Sequence, residues 1–171
     1  MATDTAARDD LLAALAQARK FLRFTVQGLS DEQAASTPTT SELCFGGLVK
    51  HVASVEASWI EFTERGAEAM ESNWNTEAAQ AAWANRFAML PGETLAGYLA
   101  EYEKVAERTD QVVGRMESLD QAHALPNAPW FEAGASWSNR RVLLHIISET
   151  AQHAGHADIV RETIDGQKTM G

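Results

Sequence analysis

The sequence predicts an all-α protein built as a four-helix bundle. Four long stretches repeat their apolar residues at steps of three and four positions, which is the period of an amphipathic helix. No stretch of comparable length alternates apolar and polar residues in the manner of a strand. The chain has 171 residues, of which 45% are hydrophobic, and this is enough for one continuous core. We therefore expect a single four-helix domain over residues 1–171.

The first long helix is predicted from Asp9 to about Gly28, because Gly28 is a suitable stop signal. Its apolar residues follow helical spacing at Leu11, Leu15, Leu22 and Val26. Ser30 and Gln33 then have the spacing of a capping box. In this motif the side chain of each residue accepts a hydrogen bond from the backbone N–H of the other at the start of a helix. They predict one short helical turn after the first helix.

The second long helix is predicted from Leu43 to Arg65, directly after a second capping-box pattern at Thr39 and Glu42. Steps of three and four join Leu48, His51, Val55, Trp59 and Phe62. The only polar member of this stripe is His51. It is therefore expected to face the core between this helix and its neighbours.

The middle of the chain is less regular. Within residues 66–91, the stretch from Thr76 to Phe87 is expected to form a short connecting helix. A third long helix is predicted from about Glu93 to Met116, because its apolar residues again repeat every three or four positions. The segment from Glu117 to Trp137 has no sustained period and contains two prolines, so we expect a long, aromatic-rich loop there.

The fourth long helix is predicted to begin after Ser138 as N-cap and to end near Ile164, before the terminating Gly166. Its core-facing stripe contains Val142, His145, Ile146, Glu149, His153, His156, Val160 and Ile164. Three histidines and one carboxylate thus share one face. A buried carboxylate needs a partner, and a metal ion is one of the few partners that also accounts for neighbouring imidazoles.

Glu149 and His153 are spaced so that both side chains can reach one ion, because helical residues four apart have Cβ atoms roughly 5–6 Å from each other. His51 from the facing helix would supply a third ligand and leave an open coordination position. Spacing leaves His145 and His156 open as ligands in place of His153. It also leaves open that Glu149 is neutralised by an arginine or by His145, and that His51 is only hydrogen-bonded.

Charge and composition exclude several classes of function. There are 24 acidic and 14 basic residues, so the net charge of -10 opposes binding to nucleic acid or to anionic lipid. No apolar run is long enough to span a membrane, and the polar, acidic start is unlike a signal peptide. The single cysteine, Cys44, excludes an internal disulfide framework. We expect a cytoplasmic protein in which Cys44 is a packing residue.

Three stretches, LLHIISETAQHAGHADIVRETIDG, GGLVKHVASVE and GLSDEQA, resemble the DinB superfamily of four-helix metalloproteins. The resemblance is closest to the branch that includes mycothiol-dependent maleylpyruvate isomerase and the mycothiol S-transferases. Members usually carry a histidine on the second helix and an H-x-x-x-H pair on the last, and Glu149 stands where the first histidine of that pair is expected, as in the mycothiol branch. The resemblance implies that His51, Glu149 and His153 bind a divalent ion, Zn²⁺ or alternatively Ni²⁺.

The resemblance also implies a function: metal-dependent transfer of mycothiol, or a related small thiol, to electrophiles in detoxification. The isomerase has an additional C-terminal domain, so a stand-alone transferase is the nearer analogy. Two alternatives stay open. They are a zinc-dependent hydrolase of small amides or esters, since zinc-bound water ionises near neutral pH, and a non-enzymatic metal-binding stress protein.

Other residues carry weaker expectations. His145 and His156 are candidate catalytic residues as proton carriers, or else support the ligands or simply pack. Asp158 and Arg161 are expected on the surface or at an interface. The aromatic residues of the loop before the fourth helix either line a substrate mouth or pin the loop to the bundle; these are Trp130, Phe131 and Trp137. A homodimer is expected through an apolar strip on the back of the fourth helix, formed by Leu144, Ile147 and Ala151.

Overall fold

Four long helices form the bundle in the computed structural model, which describes residues 2–70 and 76–169. They are α1 (Ala2–Thr25), α3 (Phe45–Arg65), α5 (Leu95–Arg115) and α6 (Asn139–Asp165). Shorter elements lie between them: α2 (Asp31–Ala35), a 3-10 turn (Gly66–Met70), α4 (Glu77–Ala84), and the strands β1 (Ala122–Ala124) and β2 (Ser136–Ser138). The predicted all-α, DinB-like four-helix fold is confirmed.

Packing between the long helices is uneven. α1 packs most extensively against α6, and α3 packs against both α5 and α6, whereas α1 and α5 touch sparingly. The core has two parts along α3. One surrounds Phe45 and Leu48, and the other surrounds Trp59 and Phe62. His51 lies beside the first part, so its position in the apolar stripe of the sequence matches its place in the structure.

Two of the predicted helix caps form as expected. Ser30 accepts a hydrogen bond from the backbone N–H of Gln33, whose side chain accepts one from the backbone N–H of Ser30. Ser138 caps α6 by accepting from the backbone N–H of Arg141. Gly166 ends α6 with a left-handed φ of 76°, a conformation that glycine adopts without steric cost.

The predicted capping box at Thr39 and Glu42 is wrong. The Thr39 hydroxyl instead accepts a hydrogen bond from the backbone N–H of Ser41. α3 begins at Phe45, and its N-cap is Cys44, whose sulfur accepts from the backbone N–H of Gly47 at 3.4 Å. A local motif cannot say which of two nearby starts a helix uses, because packing of the first turn decides between them.

The prediction of a continuous loop from Glu117 to Trp137 is also wrong in part. β1 and β2 pair in antiparallel register, with His123 opposite Trp137, and form a two-stranded hairpin at the base of α6. Each strand has three residues, which is too short to show alternation in the sequence. The rest of the predicted segment is loop and turn.

Arg161 was expected on the surface or at an interface, and this is wrong, because its residue is only 4% exposed. Its guanidinium donates to the backbone carbonyls of Thr25 and Gln27, both at 2.9 Å, and to the carboxylate of Asp165. α1 covers this side of α6, so a position opposite the metal stripe is not a position in solvent. Asp158 is half-buried and accepts from the backbone and hydroxyl of Thr169.

Among the helices in the described ranges, none combines the length and the apolar character needed to cross a membrane.

Candidate metal centre

The site is built by two facing helices, α3 and α6. His51 comes from the middle of α3, and Glu149 and His153 lie one turn apart on α6. Each of these three residues offers one ligand atom, and the three atoms lie within 4.8 Å of one another. The carboxylate Oε2 of Glu149 lies 3.4 Å from Nε2 of His153 and 3.8 Å from Nε2 of His51. The structure thus brings together the three residues that the sequence singles out.

The spacing of these atoms suits one tetrahedral ion. Nitrogen and oxygen ligands stand about 2.0–2.2 Å from Zn²⁺, so two ligands at a tetrahedral angle are roughly 3.3–3.6 Å apart. The pair formed by Glu149 and His153 already has this separation at 3.4 Å, and Glu149 and His51 come near it at 3.8 Å. All three atoms lie within 4.8 Å of one another, so His51 would have to move closer to His153 to share one ion. The donor set, two imidazole nitrogens and one carboxylate oxygen, therefore fits a divalent transition metal.

The protonation states of the two imidazoles also suit metal binding. Burial lowers the pKa of His51 to about 4, with a further lowering by His153 that Glu149 opposes. Burial likewise lowers the pKa of His153, again against the influence of Glu149. Both rings are consequently neutral near pH 7, and a neutral imidazole keeps the lone pair that a metal ion requires.

His156 contacts the side of His153 that faces away from Glu149. The Nδ1 atoms of the two rings are 3.4 Å apart, so one ring donates and the other accepts. This contact leaves Nε2 of His153 directed at Glu149. His156 is therefore not part of the converging trio, but it is placed to fix the tautomer and orientation of a residue that is.

Phe87 covers the two imidazoles. Its ring centroid is 4.3 Å from that of His51 and 5.6 Å from that of His153. The backbone of Phe87 lies so close to α3 that a Cβ on Gly47 would overlap the Phe87 carbonyl. Cys44, only 2% exposed, donates from its sulfur to the same carbonyl at 3.4 Å. The start of α3 thus holds Phe87 over the site, and Cys44 acts in packing as expected.

Sequence reasoning missed Phe87 as a site residue. It was expected at the end of a helix from Thr76, whereas α4 ends at Ala84 and Phe87 follows in a turn. The signal that was available was the Gly46-Gly47 pair at the start of α3, since adjacent small residues allow another backbone to approach closely. That signal does not say which segment approaches.

His145 lies one turn before Glu149 on α6, but it belongs to an aromatic cluster. Its ring centroid is 4.9 Å from that of Trp59 and 5.2 Å from that of Trp137, and the two tryptophan rings stack at 4.6 Å. Phe131 also packs on Trp59, at 6.3 Å, while Trp130 is 62% exposed. Phe131, in the loop, and Trp137, in β2, therefore attach the segment before α6 to the bundle beside the site.

A second polar cluster is buried in the same bundle, between the two parts of the core. Glu56 on α3 is 0% exposed, and the guanidinium of Arg19 on α1 donates to both of its carboxylate oxygens. Arg19 also donates to Asp110 on α5 at 3.0 Å. Glu56 is not among the candidate residues found in the sequence, although Val49, Val52 and Ile60 share its face at helical spacing.

An open groove of about 590 Å³ lies elsewhere, between the end of α1 and the start of α5, where these two helices pack loosely. Arg23 and Glu103 line it and form an ion pair with each other. None of the converging trio lines this groove. The candidate site is therefore identified by its converging metal-binding donor atoms and not by the size of a cavity.

The fold and the position of the trio define the class of protein: a DinB-like four-helix bundle with a candidate metal centre between its second and last long helices. A family model described as Mycothiol-S-transferase matches residues 10–166, and the chain belongs to this family. The resemblance to the mycothiol-dependent DinB branch is thereby confirmed. A comparison with curated proteins found no match to the chain.

Proposed function

We propose that the protein is a metal-dependent S-transferase that joins a small thiol, mycothiol where it is present, to electrophilic compounds. The observation that carries the proposal is the convergence of His51, Glu149 and His153 within 4.8 Å, in a chain of the mycothiol-S-transferase family. The proposed ion is Zn²⁺, with Ni²⁺ as the alternative, and the proposed role is cytoplasmic detoxification.

Each residue of the site has its own proposed role. His51, Glu149 and His153 would hold the divalent ion, which would supply the positive charge that favours the thiolate form of a small thiol at neutral pH. His156 orients the ring of His153, and Phe87 keeps water from one side of both imidazoles. The side chain of Glu149 is 28% exposed, against 17% for His51 and 10% for His153, so the site opens to solvent on the side of Glu149.

In the reaction, the thiolate sulfur attacks the electrophilic carbon. A sulfur–carbon bond forms, the bond to the leaving group breaks, and the leaving group departs with its electron pair. The thiol proton passes to solvent or to a nearby base. His145 is the candidate for that base, because it lies one turn from Glu149 and burial lowers its pKa, which keeps its ring neutral.

The test is thioether formation with 1-chloro-2,4-dinitrobenzene, followed across pH with several thiols that include mycothiol. We expect chelation or Glu149→Ala to abolish the rate at neutral pH. The defect should shrink at alkaline pH, because free thiols ionise near a pKa of about 8.5 and no longer need activation. Glu162→Ala is the matched control, since Glu162 is an exposed carboxylate on the same helix.

Two outcomes would contradict the proposal. One is a metal-loaded protein that accelerates no thiol but cleaves an ester or amide without added thiol, which would favour the hydrolase. The other is full metal content in His153→Ala, which would remove the ligand assignment. Elemental analysis of the purified protein and of each variant decides the second point.

A further inference from the structure

Two arginines near the candidate metal centre differ from most others in the protein. Seven arginines pair with a carboxylate: Arg19, Arg23, Arg65, Arg108, Arg115, Arg140 and Arg161. Within residues 2–70 and 76–169, no carboxylate pairs with Arg86 or Arg141. This is notable in a chain with ten more acidic than basic residues, where acidic partners are abundant.

Both guanidinium groups instead lie on aromatic rings that border the site. The guanidinium carbon of Arg86 is 4.1 Å from the ring centroid of Trp83 and 5.0 Å from that of Phe87, the residue that covers His51 and His153. The guanidinium carbon of Arg141 is 4.8 Å from the ring centroid of Trp137, which contacts His145. A guanidinium held on an aromatic ring loses less freedom when it binds an anion.

The rings beneath the two arginines contact α6 on either side of Glu149. Phe87, beneath Arg86, contacts His153 one turn after Glu149, and Trp137, beneath Arg141, contacts His145 one turn before it. His145 and His153 are eight residues apart, which is about 12 Å along a helix. A cationic group thus borders this stretch of α6 at each end, through Phe87 and through Trp137.

We infer that Arg86 and Arg141 each provide a carboxylate-binding position, one at either end of the site, and that the electrophile accepted at this site is a small acid rather than a neutral compound. The inference rests on the proposed transferase function. Its physical basis is that a net charge of -10 repels an anionic substrate, so an acid can approach only where unpaired positive charge is concentrated. An arginine already paired with a carboxylate cannot offer that attraction.

The binding test needs no thiol and no turnover. Tryptophan fluorescence is titrated with 3-nitrobenzoate and with its neutral analogue 3-nitrobenzamide. We expect the benzoate to bind about tenfold more tightly, and added salt or the double variant R86Q/R141Q to remove the difference. Arg108→Gln is the matched control, because it removes an exposed arginine that pairs with Glu64 away from the site. Equal affinities in the wild type would overturn the inference.

The kinetic test compares 4-chloro-3-nitrobenzoate with 4-chloro-3-nitrobenzamide. In both, the thiolate sulfur replaces chloride, so the chemistry is the same and only the charge differs. R86Q/R141Q should raise KM for the benzoate about tenfold and leave KM for the amide within about twofold. Arg86→Lys and Arg141→Lys should each retain part of the preference because they retain the charge.

A carboxylate on the thiol would suit the same positions, so each electrophile is also assayed with a thiol that carries carboxylates, mercaptosuccinate, and with neutral dithiothreitol. A charge preference that follows the thiol rather than the electrophile overturns the inference. If none of the thiols reacts, the proposed function fails. The fluorescence titration still decides whether the arginines bind a carboxylate.

Discussion

Two carboxylates inside the same bundle differ in burial and in how their charge is compensated. Glu56 is fully buried, and Arg19 donates to both of its oxygens while also reaching Asp110. Glu149 is partly open, and its nearest charged or polar neighbours in the cluster are the imidazoles of His51 and His153. The first carboxylate has a permanent cation, whereas the second has two rings that a lowered pKa keeps neutral.

The difference shows why one cluster is structural and the other is a candidate for function. The charge of Glu56 is already compensated by a guanidinium, which cannot lose its proton. The charge of Glu149 is not compensated by neutral imidazoles, and three electron-pair donors converge on one point. Such a cluster gains most from a bound cation, which supports the metal assignment.

Glu56→Ala should cost the most stability. The substitution leaves the buried guanidinium of Arg19 with Asp110 as its remaining carboxylate, and the side chain of Asp110 is 55% exposed. We expect the free energy of unfolding to fall by about 3–5 kcal/mol. Urea unfolding followed by far-ultraviolet circular dichroism measures it.

Glu61→Ala is the matched control for Glu56→Ala, because Glu61 is also on α3 and pairs with an arginine, Arg65, but at the surface. Its loss should cost less than about 1 kcal/mol. Equal losses for the two variants would show that burial does not distinguish the two ion pairs.

Glu149→Gln should have the opposite effect to Glu56→Ala: little change in stability but a large loss of metal affinity. Without metal, the substitution removes an uncompensated charge, so we expect the free energy of unfolding to change by less than about 1 kcal/mol. Metal affinity should fall by more than the roughly 10–100-fold that loss of a ligand's supporting partner costs. Calorimetric titration with Zn²⁺ measures the affinity, and Glu162→Gln, on the exposed side of α6, is the control. Unchanged affinity would mean that Glu149 is not a ligand.

His156→Phe should have a smaller effect on metal affinity than Glu149→Gln. The substitution removes the partner of Nδ1 of His153 but keeps an aromatic ring in its place. We expect affinity for Zn²⁺ to fall about 10–100-fold, and His156→Gln, which retains hydrogen-bonding groups, to recover part of the loss. If His156→Phe abolished binding as fully as Glu149→Gln, His156 would itself be a ligand.

Substitutions on the opposite face of α6 should have the smallest effect on the site. The homodimer that was expected through this face stays a prediction. Leu144 is 46% exposed and Ala151 is exposed, but Ile147 packs partly against the core, so the apolar strip is narrower than the sequence suggests. Leu144→Lys should convert a dimer to a monomer and leave metal affinity unchanged. Light scattering at micromolar concentration checks it, and a monomeric wild type would contradict the prediction.

Several features could be predicted from the sequence because they depend on neighbours along the chain. Helical period predicts the four long helices, and the caps at Ser30 and Ser138 need only residues within one turn. The pairing of Glu149 with His153 follows from their spacing of four. His51 could be named because a histidine inside an apolar stripe must face whatever the helix packs against.

Tertiary structure decided the features that depend on contacts between distant segments. Arg161 is buried because α1 covers its side of α6, and Phe87 lies over His51 because its backbone packs on Gly47. Glu56 is compensated because Arg19 reaches it from another helix. The spacing of residues along one helix determines which side chains share a face, but only packing against other helices determines what that face meets.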